Sequence, residues 1–259
     1  MQRLLCWLGV LACCGSLAPQ CLPALPEIRE TDFGHRLHAD GYIDAWWCEA
    51  ARKVGRDRPP PVESSDLIRI QAARNEYESF QLVLRPRTNL TVRSIRIGPW
   101  TGRDGEATGD ERELPVRIRL VDYVPVLSPS DRWGGAGEWP DPLVPLPENL
   151  TLPPDINQPF FVTVFVPTDT PPGAYQATLW VEFEEGPPLL LPVGLEVFTF
   201  ALPEMTHTQT AYYSDVHVDS TWHRLSTLEQ RRETWDLYMQ MYRQYRIAPY
   251  SPHLYAPIT

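Results

Sequence analysis

The first residues to weigh are carboxylates standing side by side, because neighbouring acids can divide general acid and base work between them. Two such pairs occur, Asp110-Glu111 and Glu184-Glu185. The first sits in the turn-like run TGDERE and the second flanks Gly186, so both read as solvated loop charge rather than catalytic groups. The histidines of His217-Val218-Asp219 and Trp222-His223 match no standard zinc spacing, and His35 and His38 do no better; no metal and no cofactor is expected. Trp133, Trp139 and Trp100 could stack on sugar rings, with Trp133 and Trp139 in one proline-dense segment. The competing reading makes these tryptophans plugs at the end of a sandwich or at a domain seam. Tyr213 and Asp215 stand at the carboxyl end of a segment that reads as a strand, and a substrate-contact role is assigned to them as an expectation. Pro249, Tyr250 and His253 stand similarly after a second strand, with a weaker claim.

These residues need a frame, and the pattern from residue 40 to 200 predicts strands. Eight segments qualify: 42–47, 66–72, 78–85, 91–97, 115–124, 159–166, 174–184 and 189–199. In Val116-Arg117-Ile118-Arg119-Leu120 the apolar side chains fall on one face and the arginines on the other. Turn clusters such as Pro59-Pro60-Pro61 and Pro171-Pro172-Gly173 separate the segments. Eight strands with turn-rich gaps predict a β-sandwich, Ig-like or jelly-roll-like, over 25–204. The segment 126–158 shows no strand pattern and reads as a functional loop or an arm packed over the sandwich.

After residue 204 the style changes. Thr208–Val216 reads as a strand. Ser226-Thr227-Leu228-Glu229 reads as a capping box, and Leu228, Trp235, Tyr238, Tyr242 and Tyr245 form the apolar stripe of a helix running to about Arg246. Ile247–Tyr250 reads as another strand. Strand, helix, strand is the opening of a parallel α/β unit, so 205–259 is expected to begin a (β/α)8 barrel that a chain of 259 residues cannot complete.

Composition limits the function classes. The chain has 43% hydrophobic and 22% charged residues, which is ordinary for a globular protein. Its net charge of −10 and the absence of any long basic run exclude a nucleic-acid-binding face. Residues 1–24 read as a secretory signal: Arg3, an apolar run from Leu4 to Cys14, then small residues. The run is too short to span a bilayer as an ordinary helix. Val10-Leu11-Ala12-Cys13 also resembles a bacterial lipobox, an alternative that places a lipid anchor on Cys13. An exported bacterial protein is expected: periplasmic, cell-surface or secreted. Four of the five cysteines lie in or beside this signal, which leaves Cys48 as a buried structural thiol rather than a reactive one.

Four stretches together resemble the amino-terminal region of glycoside hydrolase family 123: AARNEYESFQLVLRP at 72–86, GEWPDPLVPL at 137–146, VFVPTDTPPGAYQATLWVEF at 164–183, and VGLEVFTFALPE at 193–204 followed by RIAPYSP at 246–252. The resemblance implies an N-terminal β-sandwich and a (β/α)8 catalytic barrel. It implies retaining hydrolysis of β-linked N-acetylgalactosamine, in which the sugar's own acetamido oxygen attacks the anomeric carbon. One carboxylate orients that group and its neighbour protonates the leaving oxygen. In the family this Asp-Glu pair lies deeper in the barrel than the resemblance reaches, so no catalytic residue is assigned and the chain alone is expected to be inactive. The implied partner is a glycan containing N-acetylhexosamine. The alternative is a non-catalytic secreted module that binds glycan through the aromatics at 133–139.

Overall fold

In a computed structural model of the chain, the structure describes residues 27–102, 111–130, 135–205, 210, 212–213 and 221–250. All eight expected strands form. They are β2 (Ile43–Glu49), β3 (Ile68–Arg74), β4 (Glu76–Pro86), β5 (Leu90–Ile97), β7 (Val116–Val126), β10 (Gln158–Val166), β11 (Gly173–Phe183) and β12 (Leu189–Ala201). Four further strands join them: β1 (His35–Ala39), β6 (Thr101–Gly102), β8 (Gly137–Pro145) and β9 (Leu150–Leu152). One sheet runs β1-β2-β4-β10-β7-β8 and is antiparallel throughout. The second runs β3-β12-β11-β5-β9, with β6 pairing β11 and β3 parallel to β12. The two sheets form the expected sandwich.

Alternation supplies the core. Phe80, Leu82 and Leu84 of β4, with Phe160, Val162 and Val164 of β10, meet Leu179 and Val181 of β11 and Leu191, Val193 and Leu195 of β12. Each is buried, and burying such a side chain stabilises the fold by about 1.5–3 kcal/mol.

The expectation for 126–158 is corrected: β8 and β9 lie inside it. Pro140, Pro142 and Pro145 hid β8, because proline removes a ladder donor and disguises the alternation. β8 is an edge strand, so its outer side needs no donor, and its prolines also discourage pairing with another chain.

The outer face of β2 carries a second, smaller core. Trp46 and Cys48 point there and pack with Phe33, Val54 and Val83. The segment 27–34 and the loop 50–58 cover this face. At its centre Arg58 is 5% exposed. Its Nη2 donates to the carbonyls of Thr31 (3.1 Å) and Phe33 (3.0 Å), and its guanidinium lies 4.2 Å from the Phe33 ring centroid and 4.5 Å from that of Trp46. A buried cation persists only with such partners. The loop's own carbonyls are held by Asn157, which donates to Gly55 and Arg58, and by Gln81, which donates to Arg52 at 2.7 Å. Lys53 with Asp141, and Arg56 with Glu138, tie the same loop to β8.

One residue carries the chain between sheets. β3 ends at Arg74, β4 begins at Glu76, and Asn75 between them is buried at φ +62°. Asparagine tolerates this left-handed conformation better than most residues. Its N–H donates to Val166 O at 2.6 Å and its Nδ2 to Leu202 O at 2.9 Å, so it joins the end of β10 to the segment leaving β12.

Cys48 is the buried structural thiol expected from sequence. Burial, and secondarily the neighbouring Glu49 carboxylate, push it up to about 12.

The β1–β2 turn is fixed by Asp40. Its Oδ1 accepts from the N–H groups of Tyr42 (2.7 Å) and Ile43 (2.8 Å), and its Oδ2 lies 2.9 Å from His38 Nε2. The His38 bond first, then the two N–H donors, lower its carboxyl to about 2.

Four outcomes are expected. In urea unfolding, Asn75→Ala loses about 2–4 kcal/mol through left-handed strain and an orphaned carbonyl, while Asn75→Gly, which removes the strain, loses about 1–2 kcal/mol. Leu127→Ala, at an exposed site, stays within about 0.5 kcal/mol of the parent. Cys48 resists iodoacetamide at pH 8 in the folded chain and reacts once the chain is denatured; alkylation of the folded protein would disprove its burial. Carboxyl-detected titration places the Asp40 midpoint near 2, below its ordinary 3.8. Its support for the turn is therefore present above about pH 4 and is lost as pH falls through 2.

Candidate functional site

A helix between two short parallel strands follows the sandwich: β13 (Tyr212–Tyr213), α1 (Leu228–Gln244) and β14 (Pro249–Tyr250), with Tyr212 opposite Pro249 and Tyr213 opposite Tyr250. The expected capping box is present but displaced by one residue. Thr227, not Ser226, is the N-cap: its hydroxyl accepts from Gln230 N–H, and Gln230 Oε1 accepts from Thr227 N–H, both at 3.1 Å. Gln230 serves where Glu229 was expected, because its amide oxygen also accepts from the Ser226 N–H and hydroxyl. The helix ends at Gln244, and Arg246 turns left-handed at φ +54°.

Aromatic side chains seat α1 on β13. Tyr242 is buried, with its ring 5.6 Å from Tyr212 and 6.3 Å from Tyr238. His223 Nε2 lies 2.8 Å from the Tyr238 hydroxyl, a bond that accounts for a histidine weighed as a metal ligand. Thr210 closes the unit, its Oγ1 accepting from Ala248 N–H at 2.6 Å. Among the described residues no group of three or more His, Cys, Asp or Glu is placed to hold a metal.

The unit is tied to the sandwich at Asn75. Arg246 Nη2 donates to Asn75 O at 2.8 Å. The Tyr245 ring lies 6.5 Å from Tyr77, which itself lies 4.5 Å from Phe165 on the outer face of the first sheet. Sequence reading did not single out Asn75, Tyr77 or Arg246. A lone asparagine between two strand patterns was the available signal for the first, and a change of sheet at one residue leaves no periodicity to detect.

The sequence-predicted site residues are scattered. Tyr213 lies on β13 beside Tyr250. Because the two strands are parallel, the chain leaves both in one direction, toward the end where parallel α/β folds build their sites. Asp215, His217, Asp219 and His253 lie outside the described residues, as do Trp133, Asp110 and Cys13. Trp139 is on the edge strand β8, opposite Val124 and half-buried, with its Nε1 donating to Gly135 O at 2.7 Å. Trp100 is 1% exposed within the main core and cannot meet a sugar. Its pattern hid this because an indole flanked by Pro99 and Thr101 reads equally as loop or core.

No family model matches the sequence, and no curated protein matches it. Among solved structures, the chain is similar to a family 123 glycoside hydrolase from Clostridium perfringens, studied for glycolipid glycan hydrolysis. The two share 12% identity at a TM-score of 0.59, over 71% of this chain and 33% of that one. The secreted serine protease VesC from Vibrio cholerae gives 6% identity and a TM-score of 0.23, over 50% of this chain and 21% of that one, too low to describe a common fold. The present chain thus spans about one third of the length of the family 123 hydrolase, and what the two share is a fold.

Proposed function

We propose that this chain is part of an exported glycoside hydrolase that acts on glycans carrying β-linked N-acetylgalactosamine. In this reading residues 1–24 direct export, residues 25–204 brace the catalytic domain, and residues 205–259 begin a (β/α)8 barrel. The observation that carries it is the pairing of two features in one chain: a sandwich of family 123 fold, and a parallel strand–helix–strand unit locked to it through Arg246 and Asn75.

The surface of α1 supports the barrel reading. Trp235 and Tyr242 are buried on one side, while Leu237 and Met241, four residues apart on another side, are exposed. A helix apolar on two sides has a second neighbour to meet, as barrel helices do. The chemistry would be substrate-assisted. The acetamido oxygen attacks the anomeric carbon, one carboxylate orients the acetamido group, and a second protonates the leaving oxygen. Those carboxylates would come from barrel strands after β14. Tyr213 and Asp215 would contribute sugar contacts at the carboxyl end of β13.

The test compares the 259-residue chain with a chain extended by the coding sequence beyond codon 259. On p-nitrophenyl β-N-acetylgalactosaminide the extended chain releases nitrophenol with retention of configuration, and the 259-residue chain does not. Hydrolysis by the shorter chain would overturn the division of labour. An extended chain with no activity on N-acetylhexosaminides would overturn the hydrolase reading.

A further inference from the structure

The second sheet carries an open groove of about 1100 Å³ on its outer face, at the end of the sandwich where β12 runs out toward α1. Small residues make its floor. Gly194 is one of them, and Leu67 leans so closely over this strand that a Cβ there would lie 2.6 Å from Leu67 Cδ1. Ala174, on the neighbouring strand, stands opposite Glu196.

One wall is a row of planar polar side chains. Arg69 and Gln71 project from alternate positions of β3, about 6.6 Å apart along the strand. Gln71 Nε2 donates to Glu196 Oε2 at 2.6 Å, which fixes both side chains and leaves the Gln71 carbonyl and the second Glu196 oxygen free to accept. Arg69 donates one N–H to Asp66 at 2.7 Å and keeps others available. The far end is apolar: the Phe198 and Phe200 rings stack at 5.6 Å with planes 17° apart, and Phe200 is 55% exposed. Glu78 enters the same end from the first sheet, and burial together with Glu76 raises its carboxyl above the usual range.

We infer that this groove binds a neutral oligosaccharide, with sugar hydroxyls on Arg69, Gln71 and Glu196 and a sugar C–H face on the Phe198–Phe200 pair. Three features favour sugar. The polar groups are planar and offer donors and acceptors in a line, as vicinal hydroxyls require. They are pre-positioned by their mutual hydrogen bonds, so little side-chain freedom is lost on binding. The groove mixes both charge signs with an aromatic shelf, which suits a polar, uncharged ligand with apolar faces. The site lies on the sandwich itself, does not involve Trp133 or Trp139, and is independent of whether the protein hydrolyses anything.

The test is calorimetric titration of the 259-residue chain with three probes: triacetylchitotriose, cellotetraose, and a globo-type tetrasaccharide ending in β-N-acetylgalactosamine. At least one binds with a Kd on the order of 1 mM or tighter. Gln71→Ala combined with Glu196→Ala weakens it about tenfold or more, and Ala174→Trp, which fills the floor, abolishes it. Trp139→Ala leaves it unchanged. All variants are checked for parental Tm, since every replaced side chain is at least partly exposed. Absence of binding to all three probes overturns the proposal, as does binding that both groove variants retain. Binding without hydrolysis leaves the groove standing whatever becomes of the enzyme reading.

Discussion

The structure turns on Asn75. Two sheets packed face to face are usually joined by loops that can adjust, but here β3 passes into β4 through one residue. The chain must reverse its pleat and change sheets at that point, which places the residue at φ +62° in a buried site. Glycine could adopt the angle, but it could not also hold Leu202 O through a side-chain donor. Asparagine does both, while its backbone carbonyl accepts from Arg246. The relative position of the two sheets, the exit of β12 and the seat of α1 therefore share one anchor. The Tyr245 ring, 6.5 Å from that of Tyr77, adds an aromatic contact beside that polar one.

The first sheet is wrapped on both faces at one end. Trp47 faces the main core and Trp46 the smaller one, so β2 is buried almost throughout. That second burial requires loop backbone to lie over a sheet, where its carbonyls lose water. Gln81, Asn157 and Arg58 supply the missing donors. Asp44, also on this strand and 3% exposed, is paired with Arg87, as a buried carboxylate must be. The loop's ion pairs to β8 then stiffen an edge strand whose prolines already discourage further pairing.

The two parts differ in how fully they bury their apolar surface. The sandwich has a continuous main core. The strand–helix–strand unit buries Trp235 and Tyr242 yet leaves Leu237 and Met241 exposed, so the described residues alone do not satisfy its apolar surface. A rigid frame that fixes the first strands of a parallel unit also fixes the direction in which their carboxyl ends point, and with it the position of whatever site is built there.

The sequence by itself determined the class of the fold. Alternation of period two in Val116–Leu120 or Ala177–Phe183 is enforced by the pleat, so it marks a half-buried strand wherever it is found. The period of α1 and the thiol burial of Cys48, set among tryptophans, were legible for the same local reason. Tertiary structure alone decided the rest. Whether a proline-broken run becomes an edge strand depends on having a free side, which is a property of the sheet and not of the run. Trp100 and Trp139 look alike in sequence, but one lies in the core and the other on an edge, because burial is set by what arrives from elsewhere in the chain. The groove was unreadable for that reason too. Arg69 and Gln71 lie 125 or more residues from Glu196 and Phe198, and only the parallel pairing of β3 with β12 brings them to one face.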